Sequence, residues 1–240
     1  DEAGESEDSA TKGLRDLMVE YWKPMLTMAG LVIPLNVVNY TLLTYMPTYL
    51  GTKIGMGETE SLVVIIVGEV LMMMVIPFAG HFSDIVGRRP MWWFSLIGLF
   101  VFALPMYFLM GTGFVGAMVG FAVLGLLYIP QLSTISATFP AMFPAHVRFA
   151  GFAVTYNVFT AAFGGTAASV NEAAVEGTGF LEFPAAYMMG ACVIGMIAML
   201  FVKETAGASL HGRDIPESEP EDYGSEAIAE ESAALDACGR

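Results

Sequence analysis

The chain has 240 residues, 55% of them hydrophobic and only 14% charged, a composition that excludes a water-soluble domain wrapped in a polar shell. Its net charge of −14 sits at the ends. Residues 1–10 hold five acids and residues 204–240 hold ten acids against two arginines, so the body is almost neutral and offers nucleic acid no basic surface.

In chain order, residues 1–22 open on "DEAGESEDSA" and read as an acidic cytoplasmic linker, with no signal peptide to subtract. Six apolar stretches follow at 25–50, 62–80, 91–110, 114–139, 149–170 and 183–202. Each is long enough to cross about 30 Å of hydrocarbon at about 1.5 Å of rise per residue. A soluble six-helix bundle would show polar stripes about every 3.6 residues, and these runs are apolar nearly all round. The domain reading is therefore a six-helix transmembrane domain over 23–203, all-α and embedded in the lipid bilayer, followed by an acidic disordered cytoplasmic tail over 204–240.

Lysines and arginines set the expected orientation. Lys12, Arg15, Lys23, Arg88, Arg89, Arg148, Lys203, Arg213 and Arg240 fall on one side and Lys53 alone on the other, beside Glu58, Glu60, Glu172, Glu176 and Glu182. Both termini are expected in the cytoplasm, in a multi-pass protein of the cell's inner (plasma) membrane. On this reading "GHFSDIVGRRP", residues 80–90, is a tight inner turn between the second and third spans, and Trp92 and Trp93 are interfacial anchors.

Within the spans, Gly116 and Gly120 in the fourth, and Ala161, Gly165 and Ser169 in the fifth, recur every four residues and predict close helix packing. Pro34, Pro47, Pro77, Pro105 and Pro130 predict bends. Polar side chains share helical faces: Asn36, Asn39, Tyr40 and Thr44 in the first span, Tyr128, Gln131, Thr134 and Thr138 in the fourth, Tyr156, Asn157 and Thr160 in the fifth. Facing lipid they would be costly, so they contact either a solute or neighbouring helices. Asn36, Asn39, Tyr40, Thr44, Tyr128, Gln131, Tyr156 and Asn157 are the substrate-binding candidates. Glu69 is the acid deepest inside a span, and a carboxylate that takes up and releases protons is one reading of it, a hydrogen-bonded structural acid the other.

His81, His146 and His211 lie in turns or the tail and form no metal or nucleophile constellation. Cys192 and Cys238 suit neither a disulfide nor a metal site. No cofactor, metal site or catalytic group is indicated, and the chain is not read as an enzyme.

"GHFSDIVGRRP" resembles the loop signature of the major facilitator superfamily, G-x-x-x-D-x-x-G-R-R/K, through Gly80, Asp84, Gly87, Arg88 and Arg89. Glycines at those positions permit close helix approach, Asp84 can sit against a helix N-terminus or an arginine, and the arginines hold the cytoplasmic end. "YTLLTYMPTYL", "FPAMFPAHVRFAGFAVTYN" and "VKETAGASLHG" further resemble the metabolite:proton symporter branch, and most of all its proline and glycine betaine transporters. The resemblance covers roughly residues 20–212. It implies one six-helix half, a 3+3 inverted repeat, of a twelve-helix carrier, with a second half supplied by another chain, a homodimer or a missing segment. It also implies proton-coupled symport of a small solute by alternating access, the loop residues helping to hold one conformation.

A quaternary ammonium suits the available tyrosine faces, and no lysine or arginine lies within a span, which favours a zwitterion over a dicarboxylate or citrate. Two other readings remain: an organic-anion proton symporter, and a non-transporting assembly or sensor subunit or inactive fragment. The tail has only Ile228 and Leu235 at heptad spacing, too little for a coiled coil.

Overall fold

A computed structural model describes residues 19–203 other than His146. Most of the acidic linker, the whole acidic tail, His146, His211 and Cys238 lie outside the described residues. All regular structure among the described residues is helical. Four helices are long and apolar enough to cross a membrane: α1 (Trp22–Lys53), α2 (Glu58–Val86), α3 (Arg88–Met110) and α4 (Phe114–Thr138). A 3₁₀ turn at Pro140–Met142 leads to α5 (Arg148–Phe159), which runs through a π-helical segment, Thr160–Gly164, into α6 (Gly165–Thr178). The last helix, α7 (Phe183–Met199), is apolar but only 17 residues long.

Two of these rods are not regular α-helix. In α1 the ladder widens to π geometry at Tyr40–Tyr45 and again at Tyr49–Lys53, with Pro47 in the short α-helical piece between them. A proline lacks the N–H that an interior turn needs, and wider turns are one way to accommodate that. Pro34, Pro77, Pro105 and Pro130 lie inside α1, α2, α3 and α4.

The expected turn at 80–90 is mostly helix. Helix α2 continues through Gly80 and Asp84 to Val86, α3 starts at Arg88, and Gly87 alone joins them. Gly87 has φ 101° and ψ 154°, a conformation that a Cβ would oppose, so glycine lets two long helices reverse direction through one residue.

Packing runs α2 on α4, α4 on α3, α3 on α7, α7 on α1, and α1 on α5 and its π-helical segment. The α3–α4 contact depends on small residues. A methyl at Gly120 would lie 2.9 Å from the Met106 carbonyl oxygen, and one at Gly116 would collide with the Leu109 carbonyl. The stripe expected in the fifth span is not the packed one: Ala161, Gly165 and Ser169 are exposed, and Gly164, Ala167 and Asn171 are buried instead. The π segment inserts residues into the turn and rotates everything after it out of a 3.6-residue register. Trp92 likewise departs from its expected role as an interfacial anchor. It is fully buried, with its ring 5.7 Å from Phe139 at the end of α4.

Coverage is uneven. In α1, 67% of the most apolar stretch is buried, against 22% in α2, so α2 turns a broad apolar face, including Ile66, Val70 and Met73, away from the rest of the chain.

Candidate functional site

The motif residues gather at the junction of α2, α3 and α4. Arg88 Nη1 donates to the Ala137 carbonyl at 3.1 Å, placing a fixed cation on the C-terminal turn of α4, where the unsatisfied carbonyls concentrate partial negative charge. Arg89 is half-buried beside it, and Gly80 has open space around its Cα. Asp84 is exposed and makes no ion pair among the described residues.

The polar candidates sort into three groups. Asn36 and Tyr40 meet the π-helical segment of the fifth region: Asn36 Nδ2 donates to the Thr160 hydroxyl at 3.1 Å and to the Val32 carbonyl at 2.9 Å. The Tyr40 ring lies over Gly164, so close that a methyl there would sit 2.6 Å from Cε2. Tyr128 and Gln131 are enclosed. The Tyr128 hydroxyl donates to the Leu35 carbonyl at 3.3 Å, and Gln131 Nε2 donates to the Ser95 hydroxyl at 2.9 Å. Gln131 Oε1 is buried with no hydrogen-bond donor among the described residues, as is the Thr138 hydroxyl oxygen. Tyr156 is half-buried and stacks on Phe152 at 5.5 Å, with Phe139 6.3 Å away. Asn39 is half-buried, whereas Thr44 and Asn157 are exposed, Asn157 Nδ2 donating to the Ala153 carbonyl of its own helix at 2.7 Å.

Asn36, Tyr40, Tyr128 and Tyr156 thus bring α1, α4 and α5 together along one polar seam, and Gln131 extends it to α3. Thr44 lies off this seam because the π turn beginning at Tyr40 changes the phase of α1. Glu69 is exposed on the uncovered face of α2, one residue from Gly68, which packs on the Phe121 ring.

A second polar layer was not anticipated from the sequence. Asn171, placed by the apolar count in an outer connector, is fully buried, and its Nδ2 donates to the Thr41 hydroxyl at 2.9 Å. At the end of α1, Lys53 Nζ pairs with Glu172 at 2.8 Å and Glu176 at 3.4 Å, tying that helix to α6. The hydrogen bond from the Lys53 ammonium holds the Glu172 carboxyl below the usual carboxylate range. Tyr45, Tyr49 and Tyr107 pack inside this end, the last two edge to face at 5.3 Å. The signal for this layer lies in "AASVNEAAVE", where Ala167, Asn171 and Val175 recur every four residues. Among the described residues no three His, Cys, Asp or Glu side chains come together as metal ligands.

Apolar helices of this length, joined by short connectors and with Asn36, Thr41, Gln131 and Asn171 buried between them, define a multi-pass α-helical membrane protein. A sequence model of the Major Facilitator Superfamily matches residues 1–169, and the chain belongs to that family. It is 34% identical over 207 residues to the proline/betaine transporter of Escherichia coli (strain K12), covering 86% of this chain and 41% of the relative. The glycine betaine/proline/ectoine/pipecolic acid transporter OusA of Dickeya dadantii (strain 3937) is 34% identical over 199 residues, 82% of this chain and 40% of that one. The ectoine/proline transporter ProP of Corynebacterium glutamicum is 31% identical over 206 residues, 85% of this chain and 40% of the relative. The chain therefore spans about two fifths of the length of these relatives. No solved structure matches it significantly.

Proposed function

We propose that the chain forms one six-helix half of a proton-coupled symporter for a small zwitterionic osmolyte such as proline or glycine betaine, working by alternating access in the inner membrane with both termini cytoplasmic. The 34% identity to a proline/betaine transporter over 86% of the chain carries this reading. The seam supports the substrate class. Its tyrosine faces suit a quaternary ammonium, and neither lysine nor arginine stands among its residues to favour a dianion.

The packing supports a 3+3 repeat. Exchanging α1 with α4, α2 with the 148–178 run, and α3 with α7 turns the α3–α4 contact into α7–α1 and the α2–α4 contact into the contact of that run with α1, while α3–α7 maps onto itself. On this reading the 23–203 domain crosses the membrane six times between two acidic segments, the loop residues Gly80 to Arg89 help hold one conformation, and the uncovered face of α2, with Glu69 on it, faces the second half.

The test is uptake of labelled glycine betaine into proteoliposomes holding this chain together with a co-expressed first half, driven by an inward proton gradient. Gradient-driven uptake that proline competes away is expected, and its absence with both halves present refutes the reading. Competition by citrate but not betaine selects the organic-anion alternative. Glu69→Gln is expected to abolish gradient-driven accumulation while leaving solute exchange at equal pH intact. Unchanged accumulation would remove Glu69 from proton coupling.

A further inference from the structure

The π-helical segment Thr160–Gly164 carries two residues that shape the seam without being among its solute-binding candidates. The first is Thr160. Asn36 donates to its hydroxyl oxygen at 3.1 Å, so the hydroxyl hydrogen points elsewhere, and among the described residues no acceptor meets it. Thr27, Thr52, Thr166 and Thr178 each give that hydrogen to the carbonyl four residues back, and Thr160 does not. Asn36 itself has no donor left. Both hydrogens of its Nδ2 are committed, one to Thr160 and one to the Val32 carbonyl, and its oxygen only accepts. Asn36 is 3% exposed, whereas Thr160 is half-buried and stands at the open edge of the seam. The second residue is Gly164, one turn on. A methyl there would lie 2.6 Å from Tyr40 Cε2 and 3.1 Å from Asn36 Oδ1, so the bare glycine lets the half-buried Tyr40 ring lie where it does.

We propose that the Thr160 hydroxyl receives the carboxylate of the transported solute, while Gly164 fixes the pose of the Tyr40 ring that meets the solute's cationic end. The inference deepens the zwitterion reading above and rests on it. A carboxylate accepts hydrogen bonds and donates none, so it needs a donor that the protein has not already used. The Asn36 amide and the Tyr128 hydroxyl are spent on protein acceptors, and no lysine or arginine stands in the seam. The Thr160 hydroxyl is uncommitted as a donor, is held in place by Asn36, and donates more strongly because it accepts that bond. Asn36 thus orients the group that binds. The cationic end has different needs. A quaternary ammonium has no N–H to donate and is drawn to a tyrosine face, which Tyr40 presents one turn along α1 from Asn36. A Cβ at Gly164 would push that ring off the π segment and away from Thr160.

The test is the concentration dependence of labelled glycine betaine uptake into proteoliposomes holding the full chain and its co-expressed first half. Thr160→Val removes the O–H at nearly constant shape. It should raise KM at least about tenfold with kcat within about twofold, the loss expected for one hydrogen bond to a charged group. Thr160→Ala should match it, which separates the missing donor from any strain of the valine. Thr160→Ser keeps the O–H and should stay within about threefold of the unaltered KM. Gly164→Ala should raise KM at least about threefold, and in a Tyr40→Leu background it should add nothing further. An unchanged KM in Thr160→Val, a Thr160→Ser variant as poor as Thr160→Val, or a loss confined to kcat would each overturn the assignment of Thr160. A Gly164→Ala effect that persists without the Tyr40 ring would overturn the role of Gly164. Absence of uptake by the unaltered pair would instead refute the transport reading, and this inference with it.

Discussion

Lys53 lies at the end of the bundle opposite Lys23, Arg88, Arg148 and Lys203, and it is spoken for: two carboxylates of α6 hold its ammonium at 2.8 and 3.4 Å. Because Glu172 has a lowered pKa in the folded chain, its ion pair contributes stability above the ordinary glutamate value of about 4.3, and that contribution is lost as pH falls through the lowered folded value. The melting temperature in detergent should therefore drop more steeply below about pH 4.3 for the unaltered chain than for Glu172→Gln or Lys53→Gln. The difference should shrink in high salt, since a third of the Glu172 side chain is exposed. Parallel melting curves across that range would show that the pair adds nothing. At this scale the sequence was readable where a residue's chemistry is decided by its own depth, as with the acids grouped around Lys53. It was unreadable where a partner decides. Trp92 reads as interfacial from its position near a helix start, and packing against distant residues such as Phe139, 47 residues away, makes it a core residue. Asn171 reads as loop, and only Thr41, 130 residues away, makes it a buried hydrogen-bond donor.

Among the helices, the contrast between α4 and the fifth region shows what a spacing argument can carry. Gly116 and Gly120 sit in an uninterrupted α-helix, so their four-residue spacing remains one face and packs on α3. Ala161, Gly165 and Ser169 have the same spacing, yet the π segment at Thr160–Gly164 turns that face outward. No local feature of "TAAFG" announces the wider turn, because its stability comes from Asn36 and Tyr40 on another helix. The consequence is measurable in mixed-micelle unfolding. Gly116→Ala should destabilise by about 1–3 kcal/mol, because the added methyl meets backbone that cannot step aside. Gly165→Ala, with nothing within 4 Å, should be neutral or gain up to about 1 kcal/mol from helix propensity. Equal effects at the two sites would mean that the two faces pack alike.

For the whole molecule, composition and the length of the apolar runs were enough to place the chain in lipid. The arrangement of helices around one another was not legible, because apolar runs of equal oiliness carry no record of their neighbours. Topology is open to a direct check with a membrane-impermeant maleimide, Cys192 being buried and silent. Cys238 should react only after the membrane is opened, and Thr52→Cys in a Cys238→Ser background should react in intact spheroplasts. Both sites reacting from one compartment would refute an even number of crossings with the acidic tail inside.

The single glycine between α2 and α3 has a mechanical meaning for the assembled protein. Rods of 29 and 23 residues coupled through one residue have almost no slack, and Arg88 adds a tether from that coupling to the far end of α4. A tilt of α2 at this corner is therefore expected to carry the start of α3 and the end of α4 with it, with the Gly87 joint as the fulcrum.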